Sequence, residues 1–342
     1  MASGKTRLSI MAGLVFASAG FAASASAEPL SAWNDTPTKK AIEQWVTTST
    51  TKGSPAYIPE ERRYVVFDND GTLWPEAPLT FQIQFIVDEI KRLAPEHPEW
   101  QKDPDIKAVL DGNIQSLAHE NEKALLKMLA LTSSGMTADE YQTRVSAWFA
   151  AHKDARFGCH YDQMAYQPMK QLLDYLREKG FKTWIVSGGG IDFMRVVSQK
   201  MYGIPPEQVI GSYTLSGFTV TDNQSQLNKT MDGVFNNDGK NKPVAIHIFM
   251  GHQPVGAFGN SDGDMEMLQY AHSNQRDKGF SLLVHHTDAD REYAYDAHPP
   301  ASGTLVRGLE QAKQQGWTVV DTRQDWKTIF DPALCPAPQT SR

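Results

Sequence analysis

The stretch "YVVFDNDGTLWPE", residues 64–76, decides how the whole chain is read. An apolar run, Tyr64-Val65-Val66-Phe67, stops abruptly at Asp68-Asn69-Asp70 and continues into Gly71-Thr72. The run has the composition of a β-strand. Asp, Asn and Gly are the residues of a turn. Two acids one residue apart repel each other unless water or a positive group lies between them. The stretch is therefore either a solvated turn or a strand end at which something positive holds both carboxylates.

The residues around it favour the strand end. Before it, "NDTPTKKAIEQWV" reads as a helix capped by Asp35 or Thr36, followed by the loop "TTKGSPAYIPE". After it, from about Leu79 to Tyr161, "FQIQFIVDEIKRLA", "PDIKAVLDGNIQSLA", "NEKALLKMLALT" and "TADEYQTRVSAWFAAH" all carry helical spacing, and Thr137 with Glu140 forms a capping box. Alternation then resumes. "YQPMKQLLDYLREKG" is a helix ended by Gly180, "FKTWIVS" a strand and "GIDFMRVVSQKMYG" a helix. "QVIGSYTLSGFTVTD" reads as short strands broken by turn residues. Next come helix "KPVAIHIFMG", strand "PVGAFGN", helix "GDMEMLQYA", strand "GFSLLVHHTD", helix "SGTLVRGLEQAKQQG" and strand "WTVVDT". Strands alternating with helices predict an α/β fold with a Rossmann-like parallel sheet, interrupted after its first strand by an all-helical insertion. The expected division is 28–60 N-terminal helix and linker, 61–78 with 162–335 α/β core, 79–161 helical cap and 336–342 tail.

Ligands of such sheets sit at the carboxyl ends of strands, and four predicted strand ends carry polar groups. They are Asp68-Asn69-Asp70-Gly71-Thr72, Ser187-Gly188-Gly189-Gly190 before a helix, Lys240 and Lys242 in "DGKNKPVAI", and Gly259-Asn260-Ser261-Asp262-Gly263-Asp264. Glycines leading into a helix N-terminus present amide donors to an anion. Carboxylates, a hydroxyl, a lysine and amides together suit phosphoryl transfer with Mg²⁺, a cation that prefers oxygen ligands.

Those four motifs, "DNDGT", "VSGGG", "GKNKPV" and "GNSDGD", resemble in order the signatures of the haloacid dehalogenase-like hydrolase superfamily, on its phosphoserine-phosphatase-like side. The resemblance runs from about residue 61 to 330, and places the helical insertion as a cap of the C1 type. It implies Asp68 as nucleophile and metal ligand. Asp70 becomes general acid and base, with its backbone carbonyl on the metal. Ser187, Gly188, Thr72 and Lys240 become phosphate-binding groups, Thr72 also supporting the loop. Lys242, or Lys240 in its place, would bridge nucleophile and phosphate. Asn260 stands where the family often has an aspartate, so the expected Mg²⁺ site is Asp68, Asp70, Asn260 and Asp264, with Asp262 competing for the last place. Trp74 and Glu76 face the cap junction in the family's geometry, and Glu76 is a candidate partner for a substrate amine.

The expected substrate is a small phosphate monoester. Asp70 argues against a dehalogenase, whose leaving group needs no proton. The cap lysines sit at polar helix positions, against a phosphonate hydrolase. A phosphomutase or phosphotransferase of the same fold, or a catalytically weak binding protein for phosphorylated small molecules, stays as the alternative, the last favoured by Asn260. The cap aromatics Tyr141, Trp148, Phe149, Tyr161 and Tyr166 suit either helix core or an aromatic cage for a quaternary ammonium. His285-His286 look like a metal pair, but adjacent strand residues point to opposite faces.

A formal charge of −7 and the lack of a Lys/Arg run give no broad nucleic-acid surface. Lys5 and Arg7, the apolar "LSIMAGLVFASAGFA" and the small residues Ala25-Ser26-Ala27 read as a secretory signal peptide cut after Ala27. The apolar run is shorter than the ~20 residues of a membrane span. The mature protein is thus expected in a periplasm or outside the cell, without stable membrane association. Cys159 and Cys335 then form one disulfide or stay two lone thiols.

Overall fold

The computed structural model describes residues 1, 29–113, 122–299 and 303–336; the signal-peptide reading falls on residues outside this set. Its elements, in chain order, begin with α1 (Pro37–Thr50), capped by the Thr36 side chain, and β1 (Tyr64–Phe67). The helices α2 (Phe81–Leu93), α3 (Pro104–Leu110), α4 (Glu122–Ser133) and α5 (Ala138–Ala151) follow. Then come α6 (Gln167–Glu178), β2 (Lys182–Gly190), α7 (Ile191–Tyr202), β3 (Val209–Thr221) and β4 (Gln224–Phe235). The chain continues through α8 (Asn241–Ala245), β5 (Gly256–Gly259), α9 (Met265–His272), β6 (Phe280–His285), α10 (Arg307–Gln315), β7 (Thr318–Asp321) and α11 (Thr322–Asp325).

The strands form one sheet in the order β4-β3-β2-β1-β5-β6-β7. All neighbours are parallel except β3 and β4. The chain leaves central β1 for β2 on one side and later returns to β5 on the other. That reversal opens a crevice at the carboxyl end of β1, just where Asp68 stands. β1 is buried on both faces, as a central parallel strand must be, which explains its unbroken apolar run.

Between β1 and α6 the described residues hold helices and loops without a strand. The Thr137–Glu140 capping box is present at the start of α5. Cap and core share one apolar cluster: Phe85, Trp148 and Phe149 on cap helices pack around Trp74 and Phe193.

One expected element differs. The segment after residue 209 is a single long hairpin rather than a set of short strands. Asp222 and Asn223 both take positive φ, 52° and 62°, the geometry of a two-residue hairpin loop. The hairpin reaches the cap. Lys229 N–H donates to Met136 O (2.9 Å), and Gly135 N–H donates to Lys229 O (3.2 Å). The Lys229 ammonium is buried, pairs with Asp192 and lies 5.0 Å over the Tyr141 ring.

Cys159 and Cys335 are bonded, closing a loop across 176 residues of sequence. A cross-link over so long a loop constrains the unfolded chain strongly, so reduction is expected to lower stability by ~2–5 kcal/mol. Urea midpoints with and without reductant test this; equal midpoints would show that the bond contributes nothing.

Candidate active site

The loop after β1 is wound tightly. Asn69 O accepts from the amides of Thr72, Leu73 and Trp74, and Gly71 N–H donates to Trp74 O (2.7 Å). Gly71 has φ +72°, and a Cβ there would lie 2.1 Å from Asn260 Nδ2, so the turn admits only glycine. Asp68 N–H donates to Phe258 O on β5 (2.8 Å), which fixes the nucleophile candidate to the sheet.

Three of the four motifs meet at one ammonium. Lys242 Nζ donates to Asp68 Oδ1 (2.7 Å) and to Asp264 Oδ1 (2.6 Å), and all three side chains are buried. Asp264 Oδ2 accepts from Asn260 N–H, Ser261 N–H and the Ser261 hydroxyl. Burial alone would depress the Lys242 pKa, but the charges of Asp264 and Asp68 outweigh it and raise it. Burial pushes Asp68 well up, and Asp264 adds to this against the pull of Lys242. Burial likewise raises Asp70 to about 6, against the Trp74 hydrogen bond and Lys242. A carboxyl near that value exchanges protons readily around neutrality.

A cavity of about 460 Å³ lies over these groups. Asp68, Asp70, Lys242, Ser187 and Gly188 line its floor, as the motifs lead one to expect. Gly189 needs its missing Cβ, which would stand 3.2 Å from Asp70 Oδ2 and 3.4 Å from Ser187 Oγ.

Several expectations need correction. Lys240 is exposed and outside the lining: it stands just before α8, whereas Lys242, two residues on, lies on the buried face of that helix. Thr72 is not a phosphate contact: it is fully buried and its hydroxyl donates to Asn260 Oδ1 (3.0 Å). Trp74 is buried beneath the cap and donates from Nε1 to Asp70 Oδ1 (2.8 Å), so it orients the acid rather than meeting substrate. Asp262 accepts from the amides of Val306, Arg307 and Gly308 and so anchors the start of α10. Asp264 has both oxygens engaged within the protein, one on Lys242 and the other on the Asn260 and Ser261 amides. Glu76 does reach the cavity, but its Oε1 already accepts from Asn260 Nδ2 (2.5 Å) and Tyr295 (2.8 Å). The cap aromatics are buried against one another, Trp148 stacking on Tyr161 at 4.9 Å, and none lines the cavity.

Groups far apart in sequence complete the site. Gln82 of the cap accepts from Gly190 N–H (2.6 Å) and tethers the cap to the second motif. His286 donates from Nε2 to Gly71 O (2.7 Å), while Nδ1 faces Glu292 Oε2 (3.2 Å) and Glu292 accepts from Tyr166 (3.0 Å). The imidazolium, a donor at both nitrogens, satisfies both acceptors. Burial would depress His286, but Glu292 and the Gly71 carbonyl outweigh it and raise its pKa. The raised value makes this contribution fully present below the free-imidazole pKa of about 6.5, and lost as pH rises through the folded value. Replacing His286 by glutamine is therefore expected to cost on the order of 2 kcal/mol at acid pH and less at alkaline pH. Urea unfolding of both proteins across that range tests it; a gap that does not narrow would mean a neutral imidazole.

Among the described residues no cluster of three His, Cys, Asp or Glu has metal-binding geometry on its own. The donor chemistry nevertheless suits Mg²⁺. Asp68, Asp70 and Asp264 surround one lysine, an excess of buried negative charge offered mainly by oxygen atoms. Asn260 brings less charge than an aspartate, but the Glu76 carboxylate lies against its amide.

The chain thus combines an α/β core, a tight loop after β1, a buried lysine bridge and a helical insertion. Residues 65–269 match the model of the haloacid dehalogenase-like hydrolase family, over half of the sequence, and the chain belongs to that family. No curated protein matches it. Among solved structures it is similar to a conserved functionally unknown protein from Anaerococcus prevotii DSM 20548, at 16% identity over 82% of this chain and 90% of that one, with a TM-score of 0.51. A protein with unknown function from Bordetella pertussis Tohama I is similar at 13% identity over 76% and 98% of the two chains, TM-score 0.48. A phosphoserine phosphohydrolase-like protein from Francisella tularensis subsp. tularensis SCHU S4 is similar at 16% identity over 65% and 87%, TM-score 0.38.

Proposed function

We propose that the chain is an exported, Mg²⁺-dependent phosphatase that hydrolyses small phosphate monoesters through an aspartyl-phosphate on Asp68. The observation that carries this reading is the Lys242 bridge to Asp68 on the floor of a cavity shared with Asp70 and Ser187. Asp68 attacks phosphorus, and the bond from phosphorus to the leaving oxygen breaks. Asp70, held by Trp74, gives its proton to that oxygen. Ser187 and Gly188 orient the phosphoryl oxygens, and Lys242 offsets their charge. Asp70 then takes a proton from water, whose oxygen attacks the phosphoaspartate, releases phosphate and restores Asp68. When bound, Mg²⁺ would supply further charge neutralisation, and Asp68, Asp70, Asn260 and Asp264 are the residues that would hold it. The leader-like N-terminus supports export, and the Cys159–Cys335 bond fits an oxidising compartment.

A second reading, a weakly catalytic binding protein for phosphorylated small molecules, is favoured by the engagement of both amide atoms of Asn260 with Thr72 and Glu76. Hydrolysis of p-nitrophenyl phosphate with Mg²⁺, and with EDTA in its place, separates the two. Metal-dependent turnover supports the phosphatase; phosphate-ester binding without turnover across several divalent metals would leave only the binder.

A further inference from the structure

The roof of the cavity differs in chemistry from its floor. Ile83 and Ile86 of α2 and Leu125, Leu126 and Leu129 of α4 make it an aliphatic wall. Thr80 and Gln82 are its polar members, and the Gln82 amide is already engaged, with Oε1 on Gly190 N–H and its amine side toward Tyr141. A Cβ on Gly189 would touch Asp70 Oδ2, Ser187 Oγ and Gln82 Oε1 within 3.6 Å, so the glutamine amide stands beside the point where acid and phosphate groups converge.

Positive charge is missing from that roof. Among the described lining residues Lys242 is the one lysine or arginine, and it is committed to Asp68 and Asp264 on the floor. Asp238 and Glu76 on the lining add negative charge. An ester whose alcohol half carries a carboxylate or a second phosphate would have to shed water with no cation to receive it. A short aliphatic alcohol carries no charge to desolvate and packs against the Ile and Leu side chains of the wall.

Resting on the phosphatase reading, we propose that the site selects monophosphate esters of uncharged, mainly aliphatic alcohols and rejects those carrying a second anion, with the α2–α4 wall setting the choice. The test is kcat/KM with Mg²⁺ for n-butyl phosphate, phosphoserine and 3-phosphoglycerate, with p-nitrophenyl phosphate as a general substrate. Butyl phosphate is expected to exceed both carboxylates on the order of 100-fold. In Leu126→Arg, at a half-exposed wall position, the ratio of butyl phosphate to 3-phosphoglycerate should fall about tenfold or more, since the new guanidinium can pair the carboxylate. Turnover of p-nitrophenyl phosphate with phosphoserine or 3-phosphoglycerate preferred would overturn the inference alone. An unchanged ratio in a Leu126→Arg protein that melts like wild type would also overturn it. No turnover of any of the four esters would overturn the phosphatase reading and this inference with it.

Discussion

Asp68→Asn is expected to lower turnover by a factor on the order of 10⁴ or more while leaving the metal-free fold at least as stable as wild type. The amide keeps the shape of the side chain but has no lone pair basic enough to attack phosphorus. Its effect on stability has the opposite sign because of charge. Asp68, Asp70 and Asp264 crowd one buried ammonium, and burial together with Asp264 already disfavours the ionised Asp68. Removing that carboxylate leaves Lys242 paired with Asp264, so stability should be unchanged or higher by ~1–2 kcal/mol. Single-turnover hydrolysis of p-nitrophenyl phosphate and urea unfolding in EDTA measure the two halves. Retained activity would remove Asp68 as nucleophile; a large loss of stability would remove the charge argument.

Lys242→Met should move both quantities the same way. The methionine can fill the volume but leaves Asp68 and Asp264 buried without their shared cation. Breaking a buried ion pair by deleting one partner costs ~3–5 kcal/mol. Turnover should also fall, since nothing else on the floor supplies a fixed positive charge against the phosphoryl group. The double variant Lys242→Met with Asp68→Asn should be more stable than Lys242→Met alone, because one of the two stranded carboxylates is gone. If the two changes add independently in urea unfolding, the lysine does not couple to Asp68 and the bridge lacks energetic weight.

Much of this site could be read from sequence because strand ends and turn residues are local signals. Asp68, Ser187 and Asn260 each follow an apolar run, and the sheet order then brings those runs side by side. The choice between Lys240 and Lys242 needed burial: two residues apart, one faces water and the other the core. Trp74 read as a cap-facing residue because its spacing from Asp70 reveals nothing until the turn folds the indole back onto the acid. His286 with Glu292 and Tyr166 had no legible signature, since the three converge on the Gly71 carbonyl from distant segments. The hairpin after residue 209 was misread for a related reason. Its tip is exposed on both faces, so the alternation that marks a half-buried strand is absent.

That hairpin gives the enzyme a second handle on its own cap. The cap is already continuous with the core at both of its chain ends, and the ribbon of β3 and β4 splints it at a third point through Lys229, Gly135 and Met136. Any rocking of the roof must bend or detach this splint. The ribbon can therefore act as a spring whose stiffness sets how often the chamber opens. A change at Lys229 would retune that stiffness while leaving Asp68, Asp70 and Lys242 in place.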